Sequence, residues 1–283
     1  MAKKKKEKKA KNTGGEMSFL SHLEHLRWHL IRCTIAVLVA GVGAFIAKDF
    51  IFGIIFAPKE TSFISYKVLC EISKAIGMGA SACITELPFK IQSRTMVGQF
   101  NAHIWTAITT GCIAAFPYII YEMWKFISPA LKEKEKKASR GFITIASLLF
   151  FFGVLFGYYV LSPLSINFLA SYSISGEVHN DIDIGSYMAL IRSSVVASGV
   201  VFELPVIIYI LTKVGLITPK SLTKYRRMAI IVILILSAVI TPPDVVSQVI
   251  VAVPILVLYE VSIFISRAVY KKQQKKHEAL MNK

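Results

Sequence analysis

The sequence predicts an all-α polytopic membrane protein with six transmembrane helices and both termini on the cytoplasmic side. Its 283 residues are 54% hydrophobic and only 18% charged, which is little charge for the surface of a soluble domain of this length. The apolar residues fall in long uncharged runs, and several runs approach the ~20 residues that cross a hydrocarbon core. The basic residues cluster on one side of the predicted spans.

The six runs predict the boundaries of a membrane domain that covers residues 18–267. A disordered basic tail, 1–17, precedes it, and a second basic tail, 268–283, follows it. The predicted spans are 28–48, 103–127, 141–162, 187–212, 228–241 and 245–266.

The net charge of +16 raises the question of nucleic-acid binding, and the distribution of the charge answers it. Of the 33 Lys and Arg residues, 26 lie in the two tails and in the connections that share their side of the membrane. Two of the three loops on the other side contain none. This is the positive-inside asymmetry, so the basic excess reflects topology and predicts no nucleic-acid partner.

The first outer loop, between spans one and two, is the longest connection and predicts a cap over the membrane domain. Residues 50–57 are too few to span and are expected to lie along the membrane surface before Pro58. Residues 65–75 predict a short amphipathic helix that ends before Gly77. Cys70 and Cys83 both lie in this loop, where an oxidising compartment permits a disulfide, and the sequence leaves its formation open.

Spans five and six predict an unusually short hairpin. About 13 strongly apolar residues precede Thr241-Pro-Pro-Asp244, which gives roughly 20 Å of helix against a core of about 30 Å. Such a hairpin thins the bilayer or lies beside longer helices. Thr241, Ser247 and Gln248 predict a polar cluster at its outer end, for which hydrogen bonding between helices is a sufficient explanation.

Glu203 is the most conspicuous polar residue inside a span. A carboxylate in the middle of a membrane helix costs ~2.5–3.5 kcal/mol on insertion scales, so we expect it to have a partner or a task. Pro205 lacks a backbone donor and allows the helix to bend there. A structural, protonated glutamate and a functional acid both fit the pattern.

The segment before span one is richer in polar residues than a membrane helix requires. Leu23, Leu26 and Leu30 recur at helical spacing and predict an amphipathic helix. His22, His25 and His29 share a face, but no cysteine or carboxylate at fixed spacing supports a metal site. Glu24 and Arg27 are spaced to pair with each other. The whole sequence contains no nucleotide-binding loop and no catalytic triad, so neither a cofactor nor an enzymatic activity is expected.

Four motifs together resemble the TatC family, the large membrane subunit of the twin-arginine protein translocase. The resemblance runs from about Ser18 to Arg267 and so covers nearly the whole chain. The motifs are His22-Leu-Glu-His-Leu-Arg27, Trp124-Lys-Phe-Ile-Ser-Pro-Ala-Leu131, Phe202-Glu-Leu-Pro205 and Thr241-Pro-Pro-Asp-Val-Val-Ser-Gln248.

The resemblance implies a concave, glove-like bundle with short fifth and sixth helices in the bacterial inner membrane. It implies a receptor for signal peptides with paired arginines, which recruits small single-span subunits of the TatA and TatB type and exports folded proteins with the proton-motive force. Self-association and contact with membrane lipids are expected, and no catalysis by the subunit itself. The implied signal-peptide site comprises Glu24, His25, Arg27, Phe126 and Glu135.

The resemblance also implies roles for five residues outside the signal-peptide site. Glu203 and Pro205 belong to the polar concave face, Thr241 and Gln248 contact the partner helices, and Pro58 belongs to the periplasmic cap. The alternative function is a secondary transporter or a proton or ion channel with Glu203 as its coupling acid.

The chain departs from the family pattern at one position. Family members often carry an acid directly before Leu-Arg, and here that position is His25, while the acid Glu24 stands one residue earlier. One residue corresponds to about 100° around a helix. Glu24 therefore has to reach across, or Glu135 carries more of the binding, or the partner differs. A protonated His25 would repel arginines, which adds a possible pH sensitivity.

Overall fold

The structure is a computed structural model that describes residues 19–75, 77, 83–84, 87, 89–127, 139–175 and 180–281. This part of the chain is mostly helical, as the composition and periodicity predict. Glu135 and the basic N-terminal tail lie outside the described residues.

The first half of the chain supplies two long helices and a connection between them. Helix α1 (Phe19–Ile46) is followed by α2 (Lys48–Phe56) and a 3₁₀ turn (Ala57–Lys59). Then come α3 (Ile64–Ala75), strand β1 (Lys90–Gln92) and α4 (Gly98–Ile127). The amphipathic helix predicted at 65–75 is thus present as α3.

The second half contains the remaining helices. Helix α5 (Ser139–Phe156) continues through a π turn (Gly157–Leu161) into α6 (Ser162–Ser171), and strand β2 (Asp181–Asp183) follows. The last elements are α7 (Ile184–Phe202), α8 (Leu204–Val214), α9 (Pro219–Lys224), α10 (Arg226–Ile240) and α11 (Val245–Met281).

Within the described ranges, five segments are long and apolar enough to cross a membrane: Glu24–Ile46, Gly98–Phe126, Gly141–Ser171, Ile184–Val214 and Ser247–Lys275. The sixth predicted span is α10, which has 15 residues and is therefore about 22 Å long. It is too short to cross an undistorted core of about 30 Å. The structure thus contains the short hairpin helix that the sequence predicts, beside five full-length spans.

Helices α1 and α4 pack closely because both carry glycine where they cross. A Cβ atom on Gly111 would lie 2.7 Å from the backbone nitrogen of Gly41 and 2.7 Å from the carbonyl oxygen of Val37. Small residues allow backbones to approach in a membrane, where apolar side chains have no preference for each other over lipid. The other side of α1 faces lipid, with Val39 69% and Ile46 77% exposed.

Helices α5 and α7 meet through a second glycine contact. Gly153 and Gly157 are four residues apart on one face, and a Cβ on Gly153 would lie 2.7 Å from the carbonyl oxygen of Ser198. The Ser198 hydroxyl donates a hydrogen bond to the Gly153 carbonyl at 2.7 Å. Helix α7 also packs against α4, and α8 packs against α11, which contacts α10. The row of helices therefore runs from α1 through α4, α7 and α8 to α11.

We expect the α1–α4 crossing to tolerate no side chain at Gly111. A Gly111→Leu substitution should lower the free energy of unfolding by about 1–3 kcal/mol, because the added atoms force the two backbones apart. Thermal unfolding of the purified protein in detergent measures the effect. Gly43→Leu on α1 is the matched control, since a Cβ there meets nothing within 4 Å. Equal melting temperatures for the two variants would contradict the packing argument.

Candidate functional site

A buried carboxylate joins α1 to α4 on the side of the membrane where α1 begins, called here the N-terminal side. The Glu122 side chain is 3% exposed and accepts a hydrogen bond from His29 Nδ1. The Tyr118 hydroxyl donates to its other oxygen at 3.2 Å, and Arg32 Nη1 lies 3.6 Å from Oε2. We call these four residues the Glu122 cluster. It combines an acid with three side chains that can donate hydrogen bonds to it.

Sequence reasoning missed Glu122 because it lies inside a predicted span, next to the interfacial aromatic residues and Lys125. A signal was available, since a carboxylate in an apolar run requires a partner. Its partners include His29, on a helix 93 residues earlier, and the sequence alone does not identify them.

The predicted signal-peptide residues that the structure describes lie at the same end of the molecule as the Glu122 cluster. Glu24, His25 and Arg27 are exposed near the start of α1. The Phe126 ring contacts the His29 ring edge-on, with centroids 5.9 Å apart. The ion pairs found among the described residues do not include the predicted pair of Glu24 and Arg27. Helices α1 and α4 thus place Phe126 of the second motif against His29, two residues beyond the first motif.

Glu203 interrupts the fourth long span. Helix α7 ends at Phe202 and α8 begins at Leu204, with Pro205 at the second position of α8, so the predicted bend occurs as a break in the helix. The Glu203 side chain is buried, with the residue 6% exposed. Its Oε1 atom has no hydrogen-bond partner in the part of the chain that the structure describes. This is the intramembrane acid for which a partner or a task was expected.

Hydrogen bonds within the hairpin use the polar groups of α10 and α11. Gln248 Nε2 donates to the Leu234 carbonyl at 3.1 Å, and the Thr241 hydroxyl donates to the Ser237 carbonyl at 2.8 Å. The Asp244 carboxylate accepts from the backbone nitrogen of Ser247 at 2.7 Å. The Gln248 bond joins α11 to α10, whereas the other two bonds are local to the ends of these helices. Contact of Thr241 and Gln248 with partner helices stays a prediction.

Three tyrosines bind the end of α2 and the turn after it. Tyr158 donates to the Ile54 carbonyl at 2.6 Å, Tyr187 to the Ile55 carbonyl at 3.1 Å, and Tyr66 to the Pro58 carbonyl at 2.8 Å. The last carbonyls of a helix lack partners within it, and the hydroxyls bind them here, with the Ile54 carbonyl also accepting from the backbone nitrogen of Ala57. Burial raises the pKa of Tyr66, which keeps it a donor.

A disulfide and a pair of short strands lie on the side of the membrane domain opposite the N-terminal side. Cys70 and Cys83 form the disulfide that the sequence left open, which ties α3 to the chain before β1. Strands β1 and β2 pair in parallel. The Asp183 carboxylate accepts hydrogen bonds from the backbone nitrogens of Arg94 at 3.2 Å and Gly185 at 2.9 Å. These bonds lower the pKa of Asp183.

Comparison with known proteins shows which family has this arrangement. The family model described as TatC, Sec-independent protein translocase protein, matches residues 21–254, which is most of the chain. The chain belongs to the TatC family. It is therefore a subunit of a Sec-independent protein translocase and belongs to a transport family rather than an enzyme family. The family assignment favours the translocase over the secondary transporter or channel that the sequence also allowed.

Similar proteins match this chain over nearly their whole length. TatC of Blattabacterium sp. subsp. Periplaneta americana (strain BPLAN) is 42% identical over 265 residues, which cover 93% of this chain and all of that protein. TatCy of Bacillus subtilis (strain 168) is 33% identical over 93% of this chain and 94% of its own length. A crystal structure described as the twin arginine translocase receptor TatC matches with a TM-score of 0.66 at 31% identity. The match covers 88% of this chain and 99% of that one.

We predict that Glu122 contributes to stability through its buried contacts. Glu122→Ala should reduce the free energy of unfolding by roughly 2–4 kcal/mol, somewhat less than the ~3–5 kcal/mol for breaking a fully buried ion pair, because Arg32 is half-exposed. Thermal unfolding in detergent tests this. The control is Glu24→Ala, which removes an exposed acid near the start of the same helix as His29. A variant at Glu122 as stable as the control would show that the cluster contributes nothing.

The Asp183 contacts predict a pH-dependent contribution to stability. Because the folded-state pKa of Asp183 is lowered, the contribution is present above the ordinary aspartate pKa of about 3.9 and is lost as the pH falls through the folded value. Asp183→Ala should therefore melt below the wild type at pH 7, and the difference should shrink at and below about pH 3. Asp181→Ala is the control, since the carbonyl and not the side chain of Asp181 accepts the Arg94 bond. A constant difference across this pH range would refute the assignment.

Proposed function

We propose that the chain is the signal-peptide receptor and core subunit of a twin-arginine translocase. It recognises signal peptides that carry paired arginines and recruits small single-span subunits of the TatA and TatB type. It associates with further copies of itself, and the assembly exports folded proteins with the proton-motive force. The two matching crystal structures are of proteins described as twin arginine translocase receptors, which supports the same role here.

We place the protein in the bacterial inner membrane with both termini in the cytoplasm. The concentration of Lys and Arg in the tails and in the connections on the N-terminal side supports this orientation. Signal peptides reach a translocase from the cytoplasm, so the receptor site belongs on the N-terminal side. The cap built from α2, Pro58 and α3 then faces outward.

The observation that carries the receptor proposal is the meeting of the start of α1 with the end of α4. The exposed Glu24 and His25 of α1 and the Phe126 ring of α4 lie at the same end of the two packed helices. Arg27 belongs to the same α1 motif. Carboxylates bind guanidinium groups through charge-assisted, often bidentate hydrogen bonds. Glu135, nine residues beyond Phe126 in the sequence, is proposed as the second acid.

The histidine at position 25 alters the balance between the two acids. The acid that family members carry before Leu-Arg is replaced by His25, and Glu24 is one position away around the helix. We therefore assign the larger share of arginine binding to Glu135. The Glu122 cluster lies one turn further along α1, where His29 and Arg32 contact the Glu122 carboxylate. Glu122 is thus a structural acid below the proposed site rather than a ligand for the peptide.

Glu203 is proposed to meet a polar group of a partner helix. Its Oε1 atom is buried and has no partner among the described residues, and the residue lies between the end of α7 and the start of α8. Thr241 and Gln248 are proposed as a second contact for partner helices, at the end of the short hairpin. A coupling acid of a transporter would have the same unpartnered oxygen, but the family assignment favours the translocase.

Binding of paired-arginine peptides tests the proposal. Purified protein in detergent should bind a signal peptide with Arg-Arg more tightly than the same peptide with Lys-Lys, because lysine lacks the fork that matches a carboxylate. Glu135→Ala should weaken the binding of the Arg-Arg peptide about tenfold, which is equivalent to the loss of one charge-assisted hydrogen bond. Fluorescence anisotropy with a labelled peptide measures both effects.

The control is Glu133→Ala, which removes an acid two residues away in the same connection. It should leave the affinity for the Arg-Arg peptide unchanged. Equal affinity for the Arg-Arg and Lys-Lys peptides would reject the receptor function. An unchanged affinity in Glu135→Ala alone would reject only the role of Glu135.

A further inference from the structure

A cavity of about 880 Å³ lies between α2, α4, α5 and α7, in the half of the membrane domain opposite the N-terminal side. Most of its wall is apolar, and threonine hydroxyls and one arginine from the middle of α7 interrupt that surface. The lining residues that matter for its chemistry are Phe50, Ile54, Leu155, Thr109, Thr110 and Arg192. The cavity is remote from the start of α1 and takes no part in the proposed receptor site.

Arg192 is the exceptional residue of this cavity. It lies nine residues after Asp183, so its Cα is about 13 Å along α7 from the outer end of that helix. Helical side chains lean towards the N-terminus of their helix, which directs this guanidinium towards the outer boundary of the membrane. Charged residues inside a span are costly and mark functional sites by default.

The guanidinium of Arg192 has no anionic partner within the described ranges. Its Nη1 atom is buried without a hydrogen bond, and none of the three ion pairs found there includes it. Asp49 also lines the cavity, but it is exposed and forms no ion pair with Arg192. A guanidinium with one buried, unpaired nitrogen therefore lines a cavity of ligand size and, among the described residues, lacks the anion that would neutralise it.

The exposed apolar walls of the cavity indicate that such an anion comes from the surrounding bilayer. Phe50 is 74% exposed and Leu155 is 51% exposed, and both line the cavity on surfaces that face the bilayer. An occupant can therefore contact Arg192 with a polar group and leave apolar chains along the lipid-facing surface. Arginine binds phosphate oxygens bidentately, and a phospholipid joins a phosphodiester to two acyl chains.

The size of the cavity argues against a transmembrane helix as the occupant. A transmembrane helix crosses a core of about 30 Å, whereas the lining of the cavity extends from Thr106 to Ile113 on α4, which is only about 10 Å along that helix. We propose that the cavity binds a phospholipid of the outer leaflet, with its phosphodiester on Arg192 and the upper parts of its acyl chains on the apolar walls. Thr110 lines the same cavity and offers a hydroxyl to the phosphodiester.

Native mass spectrometry of the full chain in a mild detergent tests this proposal. The probes are phosphatidylglycerol, a diacylglycerol with the same acyl chains but no phosphodiester, and inorganic phosphate. Wild type should bind phosphatidylglycerol at least about tenfold more tightly than the diacylglycerol. Arg192→Gln should weaken the binding of phosphatidylglycerol about tenfold and leave the binding of the diacylglycerol unchanged, because it removes the charge-assisted bonds. Thr110→Val should weaken the binding of phosphatidylglycerol by a smaller factor.

The control is Arg226→Gln, which removes an arginine that pairs with Glu260 at the N-terminal side and should leave phosphatidylglycerol binding unchanged. Retention of the Cys70–Cys83 disulfide and of the lipid-free melting temperature shows that Arg192→Gln folds. Equal binding of phosphatidylglycerol by wild type and Arg192→Gln overturns the proposal, as does equal binding of phosphatidylglycerol and diacylglycerol by wild type.

Two other outcomes would also overturn the lipid assignment. Inorganic phosphate that binds as tightly as phosphatidylglycerol would make this a site for free anions. Loss of a single-span partner subunit from Arg192→Gln, with phosphatidylglycerol binding intact, would identify the occupant as a carboxylate of the partner.

Discussion

The close approach of α1 and α4 at Gly41 and Gly111 is the contact on which the receptor end of the molecule depends. His29 lies 12 residues before Gly41, and Glu122 lies 11 residues after Gly111. The helices are antiparallel, so these separations correspond to about 18 Å and 17 Å along them and bring the two side chains to the same level. The hydrogen bond between His29 and Glu122 and the ring contact of Phe126 follow from this register.

A second constraint, the need to satisfy backbone polar groups in a membrane, organises the opposite half. Tyrosine hydroxyls from α3, the π turn and α7 bind the carbonyls at the end of α2 and in the turn after it. The α5–α7 contact at Gly153 uses a serine hydroxyl for the same purpose. These contacts hold α2 against α5 and α7, and the cavity that Arg192 lines lies between these helices. Helix α7 carries Arg192 and ends at Phe202, directly before Glu203.

Local sequence patterns predict most of the helices but not their partners. The periodicity of apolar residues predicts the amphipathic α3. The missing backbone donor of Pro205 predicts the break at Glu203, and an apolar run too short to cross the membrane predicts the short α10. The pairing proposed for Glu24 and Arg27 does not appear among the described ion pairs, because exposed charges on a helix gain little from each other. Sequence patterns assign no role to Glu122 or Arg192, because the surroundings of both side chains are formed by residues of other helices.

Hydrophobic runs and the distribution of Lys and Arg determined, from sequence alone, that this is a helical membrane protein with a short hairpin near its end. Its motifs identified the family, because they combine residue types that membrane insertion does not require. Only the tertiary structure decided that Glu122 is occupied by His29 and Arg32, that Cys70 and Cys83 are joined, and that, among the described residues, Glu203 and Arg192 each retain a buried atom without a partner. The physical reason is that insertion energies depend on each segment by itself, whereas pairing depends on the register of helices far apart in the chain.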